Sequence, residues 1–451
     1  MGIFDNFING IADRLASRII GDAGKSIVTA RDYRQGAQKR QLIIKPNQFD
    51  DNIVLNFAGL IANRITSQMI GQGVKLDFEG DNETENERWI SACLNANHQE
   101  ILFHRAALSA AEAGTGYFDL SGGAVFANGI EYPRITLLDP AFVTMQSLPE
   151  DFETVIKYTI QYKFNDANGR EQARKREVIK PVDSEGWEIV DFISDANSGR
   201  WIETGRTPWG YPFAPIVHWQ NLPTIDSVYG EPDINADLIL LQDRINFVAS
   251  NLSKIIRLYA HPMRFAVNMQ GNGERLDVGP DQFVKLNGDN ADIRQLEQLG
   301  DLAGSMEYLR VLRQSMFDRA RVVDIDSMQD KLGSLTNFGL KVLYQDNLNL
   351  IATKRELFGD ALEDLIIRLQ QINNMTPIPA VIVWPDFLPE NDAEISAAYQ
   401  SDLNMQIVSK ETISGLRGYD WGQEQERIAN DKATGDNVGA AILRAFENGA
   451  Q

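Results

Sequence analysis

Apolar residues recur at alternating steps of four and three from Ile234 through Leu238, Leu241, Ile245, Val248 and Leu252 to Ile255, a period of 3.5 kept over about three heptads. The spacing predicts one long helix over 231–260, about 45 Å from end to end at about 1.5 Å per residue. Such a seam fits against a neighbouring long helix. Because Leu240, Phe247 and Ile256 broaden the apolar face, an ordinary core helix of a bundle stays open as the second reading. A second long pattern fills 306–372, where a helix over 306–326 enters the polar, glycine-punctuated loop SMQDKLGSLTNFG (327–339) and a longer helix over 340–372 leaves it. Between the two patterns, 261–305 reads as a small island in which FAV and FVKL are strands, NGE and LNGDN are turns, and Pro262 ends the preceding helix. Two long helices therefore leave and return around a short β module.

Toward the N-terminus, Ile3, Phe7, Ile11, Leu15 and Ile19 line one face of an amphipathic helix. Its polar face mixes Asp5 and Asp13 with Arg14 and Arg18 and lacks the basic bias of membrane-surface helices, so packing on protein is favoured over a membrane surface. A second helix is expected over 51–70, capped by Asp51 or Asn52, striped by Ile53, Phe57, Leu60, Ile61 and Ile65, and stopped at Gly71. A third is expected over 84–113, with Trp89, Leu94, Ile101 and Leu108 inward. Thr84 and Glu87 have capping-box spacing at its start, and Gly114-Thr115-Gly116 ends it. From 117 to 218 the period changes to that of strands: YFDL, AVFA, RITLL, FVTMQ, VIKYTIQYKF, REVIK, WEIVDFI and RWIE are divided by Gly, Asn, Asp and Pro as an antiparallel meander requires. The fold class is α+β. Beyond the apolar strand AVIVW and the turn PDFLPEND, short helices are expected over 392–408, 410–416, 421–431 and 438–448.

Composition narrows the function. A chain of 451 residues, 43% of them hydrophobic, has enough apolar material for two or three domains with real cores. Its formal charge of −20, from 63 acids against 43 bases, argues against a protein that grips nucleic acid over its whole surface. A conduit through which DNA slides would instead benefit from carboxylates, since phosphates find few places to stick. The single cysteine, Cys93, forms no internal disulfide and is expected as a small apolar filler in a reducing compartment. No apolar run approaches the ~20 residues of a bilayer span and no signal-peptide pattern opens the sequence, so a soluble intracellular protein is expected.

Candidate chemistry is sparse. GDAGKS (21–26) resembles a phosphate loop, but the position that needs the first glycine is Ile19 and no strand leads in, so a glycine turn ending a helix is expected. His98, His104, His218 and His261 have no zinc spacing and no suggested cysteine or serine partner, which leaves them structural; no cofactor and no metal are expected. Glu424 and Glu426, two apart on a helix, point away from each other. From Trp384 onward twelve acids face five bases, the mark of a solvated acidic cap.

Seven segments together carry a resemblance: DNIVLNFAGLIANRITSQMIGQGVKL, EAGTGYFDL, PFAPIVHWQN, YGEPDI, SLTNFGLKVLY, and VIVWPDFLPENDAEI followed by VSKETISGLRG. In their order and spacing the chain resembles a portal protein of tailed bacteriophages, of the long-tailed phage type. The resemblance implies a ring, typically a dodecamer, at one capsid vertex, with double-stranded DNA passing through its centre during packaging and ejection. It implies a wing (1–230), stem helices (231–260 and 306–326), a clip (261–305), a tunnel loop (327–339), a long helix returning to the wing (340–384) and an acidic helical crown (385–451). The implied partners are the terminase large subunit, the head-tail adaptor, and the major capsid and scaffold proteins, with no membrane.

Within that scheme the ring must hold DNA centrally without binding it tightly. The heptad positions Ile234, Leu238, Leu241, Ile245, Val248, Leu252 and Ile255 are expected to pack the stem. Gln329, Lys331, Ser334, Thr336 and Asn337 are expected to meet phosphates singly and weakly, with Gly333 and Gly339 as hinges. Lys331 is the one basic residue of the loop, and an exposed charge without any DNA role is the competing reading. Two other functional classes stay open: an ATP-driven packaging enzyme or nuclease, disfavoured by the incomplete phosphate loop and missing metal cluster, and a structural capsid or adaptor protein without DNA passage.

Overall fold

The computed structural model describes residues 22–46, 49–71, 73–78, 84–165, 171–181, 186–195, 200–260, 264–268, 290, 292–295, 302–328, 337–385, 392–419 and 421–429. They belong to two compact units, Met1–Phe387 and Leu388–Gln451. The expected N-terminal helix over Ile3 to Ile19, the strand FVKL and the last helix over 438–448 lie outside the described residues.

The first unit is mixed helix and sheet. Helix α1 (Asp22–Gln35) contains Gly24, Lys25 and Ser26, so the GDAGKS stretch opens a helix; the expected turn at a helix end is corrected. Helix α2 spans Phe57–Ile70. Its cap is Asn56, whose side chain accepts from Gly59 N at 3.0 Å, and not Asp51 or Asn52. The six residues before it stay extended because their main chain is bonded elsewhere, and Ile53 and Leu60, expected inward, are exposed while Ile61 and Ile65 are buried. Strand β1 (Lys75–Phe78) follows.

The single helix expected over 84–113 is two, α3 (Glu85–Ala96) and α4 (Gln99–Ala113). Both halves of the Thr84/Glu87 capping box are present at the start. His98 breaks the helix in a left-handed conformation, φ 55°. The break is held by Asn97, whose amide donates to Pro133 O at 3.0 Å and accepts from Ile135 N at 2.9 Å. Two tertiary bonds thus outweigh one continuous hydrogen-bond ladder. The break also changes the helical phase: Ile101 is exposed, and Phe103, Ala106, Ala107 and Ala110 take the inward face.

Strands β2 (Thr115–Asp119), β3 (Ala124–Ala127), β4 (Ile130–Pro133), β5 (Thr136–Leu137), β6 (Val143–Leu148), β7 (Asp151–Asn165), β8 (Glu171–Ile179), β9 (Glu188–Asp195), β10 (Ile202–Pro208) and β11 (Ile216–Gln220) mostly overlap the expected runs, while β4 falls between two of them and β10 extends past RWIE and is exposed throughout. Among the described residues, β6 to β10 form a five-stranded antiparallel meander, and β11-β2-β5 form a three-stranded sheet. The outer edge of the meander is blunted by a bulge between Glu203 and Gly205 and by Pro208. Helix α5 (Ala236–Ala260) leaves this part, the pair β12 (Arg264–Val267) and β13 (Asp292–Gln295) follows, and α6 (Leu302–Arg319) returns. The expected starts at 231 and 306 and the end at 326 are thereby corrected. Residues before 236 form a bonded turn capped by Asn235, which accepts from Leu238 N at 3.1 Å. After α6 the chain turns at Arg321, φ 55°.

Helix α7 (Asn337–Leu343) and helix α8 (Gln345–Ile372) replace the one helix expected over 340–372, and β14 (Ala380–Val383) pairs antiparallel with β1. Helix α8 lies in the largest apolar cluster, where Phe358 meets Trp219 at 5.0 Å and Phe103 at 6.1 Å between ring centroids. A second cluster joins α1, α2, α5 and α6 through Tyr33, Ile61, Ile65, Leu238, Ile245, Met316 and Phe317. In the second unit, helices α9 (Asp392–Asn404) and α10 (Lys410–Leu416) and a helical stretch over 421–429 match the expected order, with α9 ending before 408.

Candidate functional site

The long helix α5 is the element that the described residues organise, and three independent sets of bonds fix it. Along its apolar side Ile234, Leu238, Ile245 and Leu252 are buried while Leu241, Val248 and Ile255 are half-buried, so the seven seam positions share one inward side. Leu238 and Ile245 pack with Met316 and Phe317 of α6. At one end Arg319 reaches Asp237 at 3.4 Å, and at the other β12 and β13 join the pair, so α5 and α6 run antiparallel.

A second face of α5 is polar and fully buried. Gln242, Asn246 and Ser250 stand four apart, each 0% exposed, and bind the extended arm that precedes α2. Gln242 donates to Leu55 O at 2.6 Å and accepts from Ala58 N at 3.0 Å. Asn246 accepts from Leu55 N at 3.0 Å and donates to the Gln38 side chain at 2.6 Å, and Ser250 Oγ accepts from Ile53 N at 2.9 Å. These side chains supply partners that a strand ladder would otherwise supply, which is why residues before Phe57 do not coil into α2. Beyond them Arg257 clamps Asp51 through two bonds of 2.8 and 2.7 Å and holds its carboxyl below the usual range. Nearer the start, Tyr33 donates to Asp243 at 2.6 Å; burial raises its phenol above the ordinary value.

The root of α5 is the third set. Lys354 of α8 and Asp233 form an ion pair of 2.6 Å with both side chains 2% exposed. Asn221 donates to the other Asp233 oxygen at 3.0 Å and to Glu231 O at 3.0 Å, while Asp233 N donates to Ala111 O at 2.8 Å. Two glycines make the approach of these segments feasible. Gly114, at φ 85°, lies against the Gly230 backbone, and Gly116 lies under the Trp219 ring, so a methyl group at either would overlap its neighbour. The stretches EAGTGYFDL, PFAPIVHWQN and YGEPDI, distant in sequence, therefore meet at one junction that sets where α5 leaves the sheet.

The expected loop is mostly outside this geometry. Gln329, Lys331, Gly333, Ser334 and Thr336 lie outside the described residues. Asn337 begins α7, and Gly339 lies within that helix and not in a loop. Short of it, 325–328 forms a single tight turn.

The candidate chemical groups of the sequence are placed as follows among the described residues. His218 Nδ1 sits 2.8 Å from the Tyr158 hydroxyl, and burial lowers its pKa to about 4. The Cys93 thiol is pushed up to about 12 by burial. Glu424 pairs with Arg427 at 2.6 Å. Among the described residues no group of three or more His, Cys, Asp or Glu is placed to hold a metal ion, and no helix is long and apolar enough to cross a membrane. The polar stripe of α5 could have been read from its four-residue spacing; the Asp233–Lys354 pair, 121 residues apart, left no local signal.

Comparisons with known proteins place the chain. The family described as phage portal protein, SPP1 Gp6-like, matches residues 25–437. No curated protein matches. Among solved structures, a chain in the virion of a native gene transfer agent (GTA) particle is similar at 12% identity, covering 87% of this chain and 99% of that one, with a TM-score of 0.44. A chain in the neck of an empty GTA particle computed with C6 symmetry is similar at 13% identity, covering 80% and 89%, with a TM-score of 0.44.

Proposed function

We infer the role of this chain from one premise: it belongs to the phage portal protein family of the SPP1 Gp6-like type, a structural family of the phage head-tail connector. The match over residues 25–437 is the observation that carries the reading, since it takes in the whole of α5, α6 and α8. The chain forms a closed ring, typically of twelve copies, at one vertex of the capsid. Double-stranded DNA moves through the ring during packaging and ejection, and the terminase large subunit and then the head-tail adaptor dock on it, with major capsid and scaffold proteins around it. In this reading 1–230 is the wing, α5 and α6 are the stem, the part of 261–305 that precedes α6 is the clip and 385–451 the crown.

Physical features of the chain support this role. The long pair α5 and α6 is anchored at its root and along its length, as a wall that must not yield to passing DNA requires. The net charge of −20 disfavours adhesion of phosphates, so a few weak contacts suffice to centre the duplex. We assign those contacts to the 327–339 loop, with Lys331 as the cation and Gln329, Ser334, Thr336 and Asn337 as neutral partners. Native mass spectrometry and top views of purified protein test the ring; a chain that stays monomeric in the presence of scaffold protein overturns it. Lys331→Ala tests the loop, and unchanged packaging rate together with unchanged genome retention would remove Lys331 from the mechanism.

A further inference from the structure

Helix α5 has three faces, and among the described residues only two are used. At about 100° per residue, Gln242, Asn246 and Ser250 share the face that holds the arm, and Leu238 and Ile245 share the face toward α6. Leu240, Arg244, Phe247 and Lys254 share the remaining face, which is open: Leu240 is 67% and Phe247 38% exposed. Arg244 lies over the Phe247 ring at 5.8 Å. The open face therefore alternates apolar and basic positions, Leu240, Arg244, Phe247 and Lys254.

Helix α6 offers the counterpart. Its side opposite Leu309, Leu312 and Met316 carries Glu307 and Val311, one turn apart, with Val311 50% exposed. Glu307 holds Arg310 at 2.8 Å, an exposed pair three residues apart of the kind that contributes little. Levels along the two helices follow from the Arg319–Asp237 contact. Glu307 is twelve residues, about 18 Å, from Arg319, which places it level with Ala249, and Arg244 and Lys254 lie about 7.5 Å to either side. Val311 is level with Ile245, between Leu240 and Phe247. A rotation about an axis running along the helix pair preserves these levels.

We propose that the occupant of the open α5 face is the α6 outer face of a second copy of this chain, with Glu307 of one copy set between Arg244 and Lys254 of the next and Val311 seated on Leu240 and Phe247. The contact is heterologous: two different patches on one chain, which repeat head to tail and close when the rotation closes. It deepens the ring reading and rests on it. A carboxylate set between two bases fixes the axial register, and bringing like charges together in another register costs energy.

Charge exchange tests this contact on the full-length chain. R244E/K254E presents an acidic α5 face to an acidic partner, and E307K presents a basic α6 face to a basic one. Each variant alone is expected to need at least ten-fold more protein than wild type to form rings, with circular dichroism unchanged. Mixed one to one, they are expected to regain assembly, in rings of even count that hold the two chains in equal numbers by native mass spectrometry. Wild-type concentration dependence in each variant, or no recovery on mixing, overturns the contact and leaves the ring reading standing. A wild-type chain that forms no ring overturns the ring reading first.

Discussion

Lys354 Nζ lies 2.6 Å from Asp233 Oδ2 with both side chains 2% exposed, an ion pair that ties helix α8 to the root of helix α5. Removing one partner leaves the other charge buried and alone, so Lys354→Met is expected to cost about 3–5 kcal/mol. Removing both in Asp233→Asn/Lys354→Met is expected to cost less than the single change, because no uncompensated charge remains. Urea unfolding of the two variants checks this; a double variant less stable than the single one would contradict it.

Gly116 tests the junction from the other side. A methyl group there overlaps the Trp219 ring, and overpacking of this kind costs about 1–3 kcal/mol. Gly116→Ala is therefore expected to lower the thermal midpoint, and Gly116→Ala/Trp219→Leu to recover part of the loss. Equal midpoints for Gly116→Ala and the parent protein would show that the strand pair β2–β11 shifts freely.

The arm before α2 depends on Asn246, which serves both Leu55 N and Gln38. Asn246→Leu leaves those groups buried without partners, at about 1–3 kcal/mol each. Hydrogen exchange is the direct readout: amides over 50–58 are expected to lose protection, while those of α8 keep theirs.

His218 gives the chain a pH dependence with a definite sign. Its folded pKa of about 4 lies below the ordinary value near 6.5 because burial penalises the imidazolium. The neutral ring therefore favours folding above pH 6.5, and that contribution is lost as the pH falls from about 6.5 toward 4, up to about 3 kcal/mol. Asp119, whose carboxyl is raised by burial, works in the opposite direction. Denaturant midpoints against pH for the parent and His218→Gln should diverge over that interval, the variant showing the flatter curve.

Part of this molecule was legible in its sequence. The 3.5 period placed a long helix ending at Ala260, and its seven seam positions lie on one side, because helical periodicity is a local property that the apolar pattern records directly. The alternating runs after Gly116 became strands for the same reason. What the pattern could not contain were decisions made by distant partners. Asn97, bonded to Pro133 and Ile135, broke one helix into α3 and α4; Gln242, Asn246 and Ser250 held Ile53 and Leu55 extended and delayed α2 to Phe57. Lys354 found Asp233 only once α8 crossed the root of α5. Sequence alone thus determined most of the segments that are helix or strand, since each needs mainly its own neighbours; α1, expected as a turn, and the short strands β1 and β13 escaped it. Tertiary structure decided where those helices begin and break and where α5 is anchored, because a buried amide or charge must find a partner wherever in the chain it lies.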